Sequence, residues 1–221
     1  MLTEFEEDAI KEMFNLSLGN ALPTLSEMVD AEIEFSTPCL ETTPAKQLTQ
    51  TITSMVGESA CLLHMVFRLM MTNKADLPGN AVLLLRADSL GPFLDALYGE
   101  PVPQALQDQV CAEALTDVAD LLLYTCISTL SRLLDSELEG NKPLFFRGKP
   151  TLWNRSCPME PNSDVPNAPN ENNADAHSIT LRIDLSIPIK HVSGSVMIWL
   201  DASHDTDLKQ AVQHYITTQL C

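Results

Sequence analysis

Between residues 3 and 29 apolar residues recur at helical spacing, so that Ile10, Met13, Phe14, Leu18 and Leu25 share one face of a long helix. Thr3, answered by Glu6 three residues on, fits a capping box. Glu4, Glu6, Glu7 and Asp8 load the first turns with the negative charge that a helix dipole favours. Beyond this helix the period changes. Residues 31–35 alternate polar and apolar as a half-buried strand would, 38–51 are polar and turn-rich, and 52–55 read as a short strand. The run 60–71 (ACLLHMVFRLMM) is apolar enough for a central strand, with His64 expected to be packed within it rather than to act as a ligand. Pro78–Gly79 predicts a turn over 73–80, and 81–85 predicts another buried strand. Asp88–Ser89 predicts the cap of a helix that reaches Tyr98. A second long helix is predicted over 104–138, strands over 179–189 and 194–200, and a capped final helix over 201–217.

The two long helical segments resemble each other. At an offset of 105, Ile10 falls on Leu115, Leu18 on Leu123 and Leu22 on Ile127, while Thr24-Leu25-Ser26 falls on the identical Thr129-Leu130-Ser131. The strand-then-helix runs AVLLLRADSLGPFLDALY and SVMIWLDASHDTDLKQAVQHY repeat the same unit. This predicts one domain over 1–221 built from two copies of a helix–strands–helix module, about 1–103 and 104–221, too long in period for a solenoid. Residues 154–176, rich in Pro, Asn, Asp and Ser, cannot bury enough to offset ordering entropy and are expected to form a mobile insertion.

Thirty acidic against thirteen basic residues give a formal charge of −17. This disfavours nucleic acid and anionic membrane as partners and favours one with a basic rim. No secretory leader and no apolar run of membrane-spanning length is visible, so the chain is expected to be cytoplasmic. The six scattered cysteines then read as buried thiols rather than disulfides or zinc ligands.

Asp8, Glu12 and Asn15 stand four and then three apart, on one face of the first helix and off its apolar face. Three such residues alone would fit a solvated surface. Asn is, however, a poor residue for a helix interior, because its side chain competes for backbone hydrogen bonds. The string Asp8-Ala9-Ile10-Lys11-Glu12-Met13-Phe14-Asn15, then Gly19-Asn20-Ala21, then Leu25-Ser26, resembles the active helix of the CheC/CheX/FliY family of chemotaxis phosphatases. The resemblance implies a CheC-like α/β (α+β) fold: a pseudo-twofold duplicated module with one antiparallel sheet and two long helices packed on it. It also implies the activity, hydrolysis of the aspartyl phosphate of a CheY-type response regulator. Asn15 would hold the attacking water, Glu12 would pair with the regulator's lysine, and Asp8 and Lys11 would contact the regulator. No cofactor of its own is implied, since Mg²⁺ comes with the regulator. Some members dimerise, and CheC binds a CheD-type deamidase.

The second helix places Glu113, Asp117 and Asp120 where the first has Asp8, Glu12 and Asn15. It keeps the acid and lacks the amide, which can both donate and accept. An ionised Asp120 at ~4 Å from a phosphoryl oxygen would be repelled by on the order of 4 kcal/mol at an effective dielectric of ~20. This second face reads as degenerate for phosphoryl chemistry. There is no G-x-S-x-G elbow, phosphate-binding glycine loop or metal-spaced histidine pair, so no self-sufficient catalytic centre is expected. Two other readings stand beside the phosphatase. One is a non-catalytic module binding a regulator, a CheD-type deamidase or the flagellar switch; the other is a dimerisation or scaffold module with a merely solvated face.

Overall fold

A computed structural model describes residues 2–44, 47–71, 76–156, 177–201 and 205–219. Helix α1 (Glu4–Val29) and helix α4 (Gln104–Leu133) are the two long helices. Their apolar stripes are buried: Ile10, Phe14, Leu18 and Leu25 on α1, and Leu115, Leu123, Ile127 and Leu130 on α4. Both helices end the same way. Asp30 and Asp135 lie 105 apart and take left-handed backbone angles, with φ 45° and 47°, that turn the chain out of the helix. The predicted second helix therefore runs too long, because residues 136–138 already belong to a strand.

That strand and its neighbours build the sheet. The first half supplies β1 (Glu34–Phe35), β2 (Cys39–Pro44), β3 (Ala60–Met71) and β4 (Leu77–Arg86). The second supplies β5 (Ser136–Gly140), β6 (Leu144–Gly148), β7 (His177–Ile187) and β8 (Val192–Asp201). Two hairpins, β3–β4 and β7–β8, pair through β4 and β8 at the centre. Each half then lends its short strands to the other. β1 and β2 pair with β7, and β5 and β6 pair with β3, all antiparallel. The result is one eight-stranded sheet; its single antiparallel sheet and pseudo-twofold order are those the family resemblance implies.

Alternate residues of the long strands face α1, α4, α3 (Leu90–Tyr98) and α6 (Asp205–Gln219), which together form the main core. The other face is covered by two short helices, α2 (Leu48–Val56) and α5 (Pro150–Ser156). Several expectations change at this level. Residues 52–55 form part of α2, not a strand, because Leu48, Ile52 and Val56 are spaced by four and line one helical face. Only 34–35 of the predicted strand 31–35 is paired. Pro78–Gly79 is not a turn but the start of β4. Gly79 pairs with Phe67 and Leu200, and a Cβ there would run into the Phe67 ring, so the missing side chain is the space that ring occupies. Ser89 makes no cap; its hydroxyl accepts from the Ser193 amide at 3.2 Å. Of the mobile insertion expected over 154–176, residues 154–156 instead belong to α5, and 157–176 lie outside the described residues.

His64 is packed, as expected, in the smaller core. Its Nε2 is 2.9 Å from Oδ1 of Asn80, its ring stacks on Trp199 at 6.1 Å, and it meets Trp153 edge-on at 4.8 Å. Burial disfavours the imidazolium and pushes its pKa down to about 4. An unfolded histidine takes up its proton near pH 6.5, so protons favour the unfolded chain. The stability His64 contributes is complete above about pH 6.5 and falls away as the pH drops towards 4. Urea denaturation at pH 7.0 and pH 4.5 should show His64→Phe losing roughly 2–3 kcal/mol less than wild type over that interval. Equal losses would contradict this account of the buried ring.

Candidate functional site

The site is built on α1, and its foundation is polar. The Thr3 hydroxyl accepts from the Glu6 amide at 3.3 Å, while Oε2 of Glu6 accepts from the Thr3 amide at 2.7 Å, closing the predicted capping box. The Glu6 carboxylate also accepts from Nε2 of Gln213 on α6 at 2.6 Å. The Thr3 amide above all, and then the Gln213 amide, hold its carboxyl below the usual glutamate range. Midway along α1, Ser17 accepts from the Arg132 guanidinium at 2.9 Å, which ties α1 to the last turn of α4. The backbone that carries the site is therefore pinned to two other helices.

On the outer face Asp8, Glu12 and Asn15 are all exposed, one turn after another. Nζ of Lys11 lies 3.3 Å from Oδ1 of Asp8, an i,i+3 pair between side chains that are 28% and 65% exposed. Such a pair is worth little energetically, but it keeps Asp8 locally occupied. Glu12 and Asn15 have no hydrogen-bond or ion-pair partner among the described residues. Flanking them, Phe5 and Leu16 expose 64% and 57% of their surface. Sequence reasoning singled out neither, although Leu16 falls out of register with the buried stripe.

On α4, Glu113, Asp117 and Asp120 are likewise exposed and unpaired among the described residues. The two helices thus hold their sets in equivalent places, one with an amide and one without. Cys61, Cys111 and Cys126 are buried thiols, and burial pushes Cys126 up to about 12, so its thiolate does not serve as a nucleophile. Among the described residues no group of three His, Cys, Asp or Glu could hold a metal, and no helix is long and apolar enough to cross a membrane. What the α1 face offers chemically is a carboxylate for a cation and an amide that can donate and accept at once.

No family model matches the chain. Solved structures do resemble it. FliY from Thermotoga maritima is 17% identical with a TM-score of 0.66, the match covering 97% of this chain and 98% of that one. A chain of the FliG–FliM complex from H. pylori is 11% identical with a TM-score of 0.57, covering 94% and 99%. A chain of the CheX–CheY–BeF3–Mg²⁺ complex from Borrelia burgdorferi is 13% identical with a TM-score of 0.51, covering 85% and 96%.

The capping box is the part of this foundation that can be removed without touching the outer face. Thr3→Ala should lower stability by about 1 kcal/mol and increase amide exchange over residues 4–8 while leaving residues 12–19 protected. Unchanged exchange in the first turn would show that the Gln213 bond alone holds the helix end.

Proposed function

We propose that this chain, which has the fold of the CheC/CheX/FliY family, is a phosphatase for the aspartyl phosphate of a CheY-type response regulator, with α1 as the helix that enters the regulator's pocket. The observation that carries this reading is the exposed pair Glu12 and Asn15, one turn apart, unpaired among the described residues, on a helix fixed at its start and middle.

Hydrolysis of an acyl phosphate in such a complex requires little covalent chemistry from this chain. The regulator brings the phosphoryl group, its Mg²⁺ and a lysine. Phosphoryl transfer then depends on a water placed in line and on charge stabilisation. The Asn15 amide oxygen accepts a hydrogen bond from that water while its NH₂ donates towards a phosphoryl oxygen. Glu12 pairs with the lysine and sets the depth and angle at which α1 docks. Asp8 and Lys11, already paired with each other, contact the regulator at the rim. The charge of −17 accelerates encounter with a basic rim and slows encounter with acidic partners.

A second reading is a non-catalytic module that binds a regulator, a CheD-type deamidase or the flagellar switch. It draws support from the likeness to a chain of a FliG–FliM complex and from the amide missing on α4. A homodimer through either outer face is a third arrangement, which size-exclusion chromatography tests.

The discriminating assay follows decay of a phosphorylated CheY-type regulator with Mg²⁺. Wild type should accelerate it, Asn15→Ala should lose that acceleration by about 100-fold or more, and Asp8→Ala should lose about threefold or less. A larger loss from Asp8→Ala than from Asn15→Ala would overturn this assignment of roles. No acceleration by wild type would favour the binding module.

A further inference from the structure

One turn beyond Asn15, on the same outer face, stands Gly19. Glycine inside a helix is destabilising relative to alanine, so its place needs a reason. Packing supplies none. A Cβ built on Gly19 meets nothing within 4 Å, and the residue is exposed. The backbone there is also open chemically. Pro23 lies inside α1 four residues on, and having no N–H it cannot close the usual helical bond to the Gly19 carbonyl. The outer face therefore carries, directly beside Asn15, a spot with no side chain and with a backbone acceptor that lacks its i+4 donor.

The internal repeat provides the contrast. At the offset of 105 the equivalent of Gly19 is Tyr124 on α4, and Tyr124 is 57% exposed. The two outer faces thus differ twice: Asn15 against Asp120, and bare backbone against a projecting phenol. We infer that Gly19 is a specificity-determining position at which the phosphorylated regulator's backbone closes onto α1, and that Tyr124 bars the same approach to α4 independently of Asp120. This rests on the phosphatase reading and adds to it a steric condition. An in-line water held by Asn15 requires the regulator's pocket to come within hydrogen-bond reach of a side chain as short as asparagine's. A bulky residue one turn away would hold the two surfaces apart by several ångströms and leave Asn15 short. Positioning errors of about 1 Å can cost on the order of 100-fold in rate.

The competing explanation is structural: Gly19 could be present only to relieve the clash between the Pro23 ring and the carbonyl four residues before it. The two explanations predict opposite stabilities. The test uses the full chain as wild type, Gly19→Ala and Gly19→Tyr, measuring Tm, affinity for a CheY-type regulator loaded with beryllofluoride and Mg²⁺, and decay of the phosphorylated regulator. If Gly19 serves approach, Gly19→Ala raises Tm by a few degrees. Gly19→Tyr, at unchanged or higher Tm, then weakens regulator binding at least tenfold and removes accelerated decay. A fall in Tm for Gly19→Ala, or full binding and activity in Gly19→Tyr, overturns the inference while leaving the phosphatase reading intact. Wild type that neither binds the loaded regulator nor speeds decay overturns both. A final arm compares Asp120→Asn with Asp120→Asn/Tyr124→Gly, both in the Gly19→Tyr background that blocks α1. Regulator binding at least fivefold tighter in the second supports the steric role of Tyr124, and equal binding removes it.

Discussion

The sheet can be completed only if each half of the chain lends its short strands to the other half's hairpin. β3 would otherwise expose an open edge on the side where β5 and β6 pair, and β7 would do so where β1 and β2 now lie. This exchange fixes where everything else goes. A long helix precedes each pair of short strands, so crossing the strands over also fixes the helices side by side on one face. There the fully buried Leu25 and Leu123 belong to one continuous core. The opposite outer surface of each helix is then left facing outwards in equivalent surroundings.

Equivalence of backbone with divergence of side chains is what makes the two outer faces informative. Both helices leave through a left-handed aspartate, both bury the same stripe, and both carry three exposed polar residues at the same heights. Differences between the faces therefore do not reflect different demands of the core. The amide at position 15 against the carboxylate at 120, and glycine at 19 against tyrosine at 124, stand where neither core constrains the choice. That freedom is why a functional explanation is needed for them, and why none is needed for the apolar residues that match.

Much of this was legible in the chain itself. The period of α1, its capping box and the 105-residue offset carry strong local signals, and the outer face follows from the same arithmetic. The edge strands were not legible. β2 and β5 are short and largely polar, with side chains of both faces partly in solvent, so no alternation marks them. Gly79 read as a turn because its role, room for the Phe67 ring, belongs to a partner strand rather than to its neighbours in sequence. The same holds for the Glu6–Gln213 bond, formed across 207 residues. Which residues face outwards could be read from periodicity; the work assigned to Glu12 and Asn15 could not, because exposed side chains answer to a partner and leave no trace in the fold's own pattern. That part rests on the resemblance of the α1 string.

The proposed assignments make α1, and not α4, the helix that a CheY-type regulator engages. Amide chemical-shift mapping of the full chain, titrated with a beryllofluoride- and Mg²⁺-loaded regulator, separates the two helices in one experiment. Perturbations should concentrate on residues 5–19, with the exposed face of α4 around Asp117 and Tyr124 unmoved. Perturbations confined to α4, or spread over α2 and α5 on the far side of the sheet, would refute the engagement of α1.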